Sequence, residues 1–237
     1  MLVNRNMSEI SVLDLIGATL GMMAVMVNVV AVVNAMALTL RARLIAAALA
    51  GAWVGLSLSL AAAGALTFSQ RQPIPLVGVF FALPLVTFGI CWVVISRFRE
   101  AVLALRPSLL IGLNVFRVVG VLFLFLAHAG RLSGPFPVSA GWGDIITGAL
   151  ALPIAYASAK VPKWAIFSWN TFGALDLIVA VVLGLMSANG SPLQVIHAGA
   201  GSEAMQHLPF SLVPTVLVPF YLMTHFVVAS HYFGRRG

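Results

Sequence analysis

Three charged side chains interrupt segments that are otherwise hydrocarbon. Arg117 lies in "GLNVFRVVGVLFLFLAH", Asp144 in "AGWGDIITG" and Asp176 in "WNTFGALDL". An arginine in such surroundings keeps its charge and calls for acidic partners. Two carboxylates around one guanidinium leave one of them free to bind a proton or a cation. Uncharged polar groups accompany the charges. Asn114 stands three residues before Arg117 and so on the same helical face. Asn28, Asn170 and His225 fall at a similar depth, and Tyr221 precedes His225 by about one turn. The chemistry implied is binding of a small solute or transfer of a proton. Arg117 would hold an anionic group or a carboxylate, Asp176 and Asp144 would exchange a proton, and Tyr221 and His225 would guard the exit.

A second constellation is hydrolytic. His128, Asp144, His197, Glu203 and His207 fall on the opposite side or its loop, and three or four of them could hold a metal whose bound water attacks a substrate at the membrane surface. His197 and His207 stand ten residues apart in a loop, so their spacing fixes little. No serine nucleophile elbow and no HExxH pair occurs. A retinal protein needs a lysine in its last helix, whereas Lys160 and Lys163 lie in a loop. A haem pair needs two histidines at one depth, and His128 and His225 do not match. No cofactor is expected. The methionines of "GMMAVM" read as packing residues and not as copper ligands.

The elements that position these groups follow from hydropathy. Of the 237 residues, 61% are hydrophobic and 8% charged, against about a quarter charged in a soluble domain. Crossing a bilayer core takes roughly 20 apolar residues of helix. Seven runs qualify: 11–40, 44–68, 74–96, 108–129, 140–159, 165–187 and 208–232. The fold class expected is therefore all-α, a single integral membrane bundle of seven helices. The first run is long, contains Asp14 and is followed by Arg41 and Arg43, which reads as a retained helix and not a cleaved signal peptide.

Orientation follows from basic residues in the loops. Arg41, Arg43, Arg97, Arg99, Arg106, Lys160, Lys163, Arg235 and Arg236 fall on one side if the runs alternate, and Arg5, Arg71 and Arg131 on the other. The amino terminus is expected outside and the carboxyl terminus in the cytoplasm. The net charge of +7 is thus loop charge on a membrane face, which argues against nucleic acid as a partner. The partners expected are the lipid bilayer, a small solute or proton, and a second copy of the chain. One cysteine, Cys91, excludes an internal disulfide.

Helical rise sets the depths. Arg117 is ten residues beyond Pro107 and Asp176 twelve beyond Trp164, so about 15 and 18 Å into their helices. Both reach the midplane, and they are the natural pair. With a helix starting at residue 140, Asp144 sits about 9 Å above that level, reached by an upward-leaning arginine. Asn170 and Asp176 are about 120° apart on one helix, so both face protein only if that helix is buried on two sides. Pro209, Pro214 and Pro219 bend the last run and free backbone carbonyls that neighbours must satisfy. "GATLG" and "GAWVG" have the small-xxx-small spacing of close helix approaches. Trp142, Trp164 and Trp169 stand near run ends, where indoles favour the interface.

At "FRVVGVLFL", "AGWGDIITGALALP", "WNTFGALDL" and "LVPFYLMTH", from Asn114 to His225, the chain resembles a family of uncharacterised multi-pass bacterial membrane proteins. The resemblance carries no activity. It implies a bacterial inner-membrane location and singles out Arg117, Gly143, Asp144, Trp169, Asn170, Asp176 and His225. The leading expectation is a small-solute or proton-linked transporter. A membrane-embedded metal hydrolase at the outer surface, or a non-catalytic sensor or assembly subunit in which the ion pair is only a staple, are the other classes.

Overall fold

The computed structural model describes residues 11–68, 76–158 and 160–234, with the backbone alone at Phe233. These residues form helices and no strand. Seven of the helical segments are long and apolar enough to cross a membrane. The first is α1 (Val12–Ala35), the second α2 (Leu40–Ala62) and the third α3 (Leu76–Val94). A short amphipathic α4 (Ser96–Leu103) follows, inside the stretch expected as a loop.

The fourth span, Pro107–His128, changes its winding midway. Its ends are α5 (Pro107–Leu113) and α6 (Val121–His128), joined by 3₁₀ turns over Asn114–Gly120. The fifth and sixth spans are α7 (Phe136–Tyr156) and α8 (Lys163–Ser187). A long connection with a 3₁₀ turn at Glu203–Gln206 leads to a π-helical turn at Val213–Leu217, which continues as α9 (Val218–Phe233).

Several boundaries differ from the hydropathy runs. The first run stops at Ala35, because Thr39 caps the next helix: its hydroxyl accepts from Ala42 N at 3.3 Å. Arg41 and Arg43 therefore begin α2 and do not lie in a loop, and Arg43 Nη2 donates to the Met36 carbonyl at 3.2 Å. α7 starts at Phe136, four residues before the expected position, since a proline at the second helical position costs no backbone bond. The seventh helix starts at Val213 and not at Leu208; the Leu208–Pro209 peptide ahead of it is cis.

The bundle is built unevenly. Half of the fourth span's apolar window is buried inside the protein, but only 11% of that of α2 or α3. The fourth span, α7, α8 and α9 thus form the centre, and α2 and α3 flank it. Side chains such as Leu49, Val86 and Ile90 point outward. A water-facing surface so apolar would be untenable, whereas acyl chains solvate it well. Besides smaller clusters around Leu66 and Leu177, the interior holds two larger apolar layers. One contains Leu110, Ile111, Ile166, Trp169, Val227 and Val228. The other contains Leu122, Leu126, Phe136, Met205 and Phe210.

The prolines of the seventh span bring α2 in. In α-helical register the Thr215 carbonyl would accept from residue 219, a proline with no N–H. Trp53 Nε1 donates to that carbonyl instead, at 3.0 Å. Val218 N–H reaches back five residues to the Val213 carbonyl. For the Thr215 carbonyl, the expected need for a neighbour is met by a tryptophan of the second span. The small-residue motifs do less than their spacing predicts. No atom lies within 4 Å of a side chain built at Gly21, Gly51 or Gly55, and only Gly17 makes a close approach, to Phe210 and Pro209.

At the end of the molecule bearing the 188–211 connection, Asp14 completes a capping box with Ser11. It also pairs with Arg131 at 2.7 Å. The Arg131 guanidinium rests 5.5 Å from the Phe210 ring centroid.

Candidate functional site

Arg117 lies between the two apolar layers, on the 3₁₀ stretch, and is 2% exposed. Seven residues is long for this winding, which rarely exceeds 3–4 and often marks a functional segment. Asn114 opens it by turning its side-chain amide back on the Leu110 carbonyl, 2.9 Å away. Gly148 of α7 lets the Val118 backbone approach so closely that a β-carbon there would stand 2.7 Å from Val118 N.

The guanidinium is held by three helices. Nε donates to Asp144 Oδ1 on α7 at 2.7 Å, and Nη2 to Asp176 Oδ2 on α8 at 2.6 Å. Nη1 donates to the Gly173 carbonyl at 3.0 Å and lies 3.0 Å from His225 Nε2 on α9. Four of the five N–H groups of an arginine therefore have acceptors. The Arg117–Asp176 pair expected at the midplane is present. Asp144 packs against Gly120, three residues further along the fourth span than Arg117, so the guanidinium leans toward it, over a shorter reach than expected. The early start of α7 puts it eight residues, about 12 Å, into its helix. The carboxylates differ in access: the Asp144 side chain is 14% exposed and that of Asp176 7%.

Glycines make this convergence possible. A β-carbon on Gly143 would occupy the Asp176 carboxylate, and one on Gly120 would overlap the side chain of Asp144. Gly173 serves two partners: its carbonyl takes Arg117, and its bare Cα faces the His225 ring, whose Cε1 would lie 2.6 Å from a β-carbon. Gly173 also explains how Asn170 and Asp176 share a site despite their angular separation. Each stands three residues, about 60° of helix, from it on opposite sides. Asp176 reaches Arg117 directly and Asn170 reaches it through His225, with Asn170 Oδ1 3.0 Å from His225 Nδ1.

A second polar tier lies beside the first. Asn114 Nδ2 is 3.4 Å from Thr224 Oγ1, whose hydroxyl donates to the Tyr221 carbonyl at 2.8 Å. Asn28 on α1 donates to the Tyr221 hydroxyl at 3.0 Å. Trp169 is not an interfacial indole as its position near a run end suggests. It is 4% exposed, donates through Nε1 to the Thr147 carbonyl at 3.0 Å, and sets its ring 5.2 Å from that of His225. Trp142 and Trp164 are exposed, as an interface requires. Gly120, Gly173, Thr147 and Thr224 escaped notice in the sequence. The clustered glycines of "GWGDIITG" were the available signal.

The outer histidines do not converge. His207 Nε2 is 4.0 Å from Glu203 Oε1, both side chains largely exposed, while His128 and His197 are exposed elsewhere. Among the described residues no three His, Cys, Asp or Glu side chains come together as metal ligands.

Two cavities reach the charged centre. One of about 50 Å³ lies among α1, the fourth span and the seventh, lined by Arg117, Asp144, Gly17, Phe116, Phe210 and Tyr221. The other, of about 100 Å³, lies among α3, α6, α7 and α8 beneath the 203–206 turn. Asp144 lines both. Residues 74–231 match the family described as a domain of unknown function, DUF8737. The chain belongs to that family. No curated protein and no solved structure matches it. The matched region holds Arg117, Asp144, Asp176 and His225, while Asn28 and Trp53, on the helices preceding it, brace the seventh span from outside.

Proposed function

We propose that the protein is a small-solute or proton-linked transporter of the bacterial inner membrane, its amino terminus outside and its carboxyl terminus in the cytoplasm. The observation that carries this reading is the charge balance of a buried site. One guanidinium meets two carboxylates, so with both ionised the centre holds one negative charge too many. Such a charge inside a membrane bundle is costly, by roughly 3 kcal/mol or more, until a proton or a cation joins it. A site that gains and loses a positive charge is what coupled transport requires.

Access supports the same reading. A staple that only fixes helix register needs no cavity beside it, yet two meet at Asp144. The paired changes in winding point the same way: 3₁₀ turns carry Arg117, and a π-turn precedes Tyr221 and His225. Both irregularities are commonly found at functional segments. Of the two carboxylates, Asp144 is the better proton acceptor, because it lines both cavities. Asp176 anchors the arginine from the other side.

Proteoliposomes containing a trapped pH dye and a potassium diffusion potential test this reading. The native protein is expected to carry protons inward, and Asp144→Asn and Asp176→Asn to slow that flux at least tenfold. Flux unchanged in both variants rejects the proton role.

A further inference from the structure

We infer that the larger cavity is the chamber for a small organic cation, a compact amine or quaternary ammonium whose charge rests against Asp144. This assignment names the solute class for the site proposed above and rests on that reading. It starts from how far Arg117 is already engaged, with four of its five N–H groups taken. Nε, Nη1 and Nη2 already donate to Asp144, Gly173, His225 and Asp176. An anionic solute would find a single remaining N–H, on Nη2, and not the two-pronged fork that arginine offers a free anion. The unmet demand is on the acidic side: Asp144 Oδ1 is taken by the arginine, and Oδ2 accepts no hydrogen bond from the described residues.

The walls select the kind of positive charge. Phe81, Phe123, Phe136, Leu177, Val181 and Met205 line the same cavity as the carboxylate. A bare calcium ion takes six to eight oxygens and magnesium near-octahedral oxygen, which one carboxylate in a hydrocarbon chamber does not supply. Aromatic faces do attract alkylated ammonium groups, and recognition of quaternary ammonium by such rings is a recurrent use of the interaction. A proton alone needs no chamber of about 100 Å³. That volume is somewhat below the roughly 150 Å³ of an apolar cavity that holds benzene, so the cationic head is compact.

A second polar group lines the same cavity. Gln206 is 4% exposed. Its Oε1 accepts from Phe68 N at 2.8 Å, while Nε2 has no partner among the described residues. A buried amide N–H left in this way is costly, by about 1–3 kcal/mol. A ligand oxygen would satisfy it. Phe136 packs with Met205, the neighbour of Gln206, and eight residues of α7 separate Phe136 from Asp144. The ligand therefore carries its cation toward Asp144 and a hydroxyl or carbonyl on the Gln206 side, with hydrocarbon between.

The test compares two probes that differ in one atom, choline and 3,3-dimethylbutan-1-ol, whose central carbon replaces the ammonium nitrogen. Binding to the purified native protein in lipid nanodiscs is followed by calorimetry. Choline is expected to bind at least tenfold more tightly than the alcohol. Asp144→Asn should abolish the preference. Equal affinity for the two probes, or binding of neither by the native protein, overturns the assignment without recourse to any variant. Proton flux on the same preparation separates the two readings. Flux that depends on Asp144 without choline selectivity removes the organic cation and keeps the proton-linked transporter, and choline selectivity without flux does the reverse.

Discussion

His225 Nε2 lies 3.0 Å from Arg117 Nη1. A guanidinium only donates, so the ring nitrogen facing it must accept. The proton then sits on Nδ1, which donates to Asn170 Oδ1 at 3.0 Å. The histidine is neutral and held in one tautomer, extending the network from the fourth span through α9 to α8. Nitrogen-15 spectra of histidine-labelled protein should show His225 as the Nδ1–H form, and a doubly protonated ring would contradict this geometry. Replacing it with phenylalanine strands an arginine N–H and the Asn170 oxygen. The expected cost is about 2–6 kcal/mol, at 1–3 for each buried group, seen as a lower unfolding temperature.

Arg117 alone compensates two buried acids. Arg117→Met leaves both carboxylates without a counter-charge, and breaking a buried pair costs about 3–5 kcal/mol. The triple change Arg117→Met, Asp144→Asn, Asp176→Asn removes every charge and should recover most of that loss. Thermal unfolding of the detergent-solubilised variants checks the order. A triple variant as unstable as the single one would mean that charge is not what the arginine supplies.

The glycines divide by what faces them. Gly143→Ala places a methyl in the space of the Asp176 carboxylate and should prevent folding or cost about 3 kcal/mol, at the upper end for overpacking. Gly21→Ala and Gly55→Ala meet no atom within 4 Å, and each should be neutral or slightly stabilising through helix propensity. Expression and unfolding temperature of the three variants separate the cases.

Trp53 and Pro219 should be energetically coupled. Trp53→Phe leaves the Thr215 carbonyl without its side-chain donor, at about 1–2 kcal/mol. In a Pro219→Ala background the new backbone N–H can reach that carbonyl, and the same substitution should cost much less. A double-mutant cycle measures the difference. Additive effects would rule out the compensation.

The sequence by itself determined seven spans and the meeting of Arg117 with Asp176. Lipid cannot solvate a lone charge, so burial forces a partner, and constant helical rise puts the two at one depth. It also marked Asp144, Asn114, Asn170, Tyr221 and His225 as interior polar residues, because such side chains are costly against acyl tails. Asp144 was set too high because hydropathy does not reveal that a helix opens with Phe136 and Pro137, and four residues shift a depth by about 6 Å. The break at Ala35 depends on the Thr39 cap, a hydroxyl bond that composition does not show.

Only the tertiary structure decided which glycines matter. The family resemblance marked Gly143, but what it and Gly173 do is set only when Asp176 and His225 arrive from other helices, while the more regular spacing at Gly51 and Gly55 faces no neighbour. It likewise turned Trp169 from an interfacial residue into a wall of the His225 site, and brought Asp144 to the junction of two cavities. The reason is the same in each case. Depth in a membrane follows from one helix and its solvent, but azimuth and contact depend on where the other helices stand.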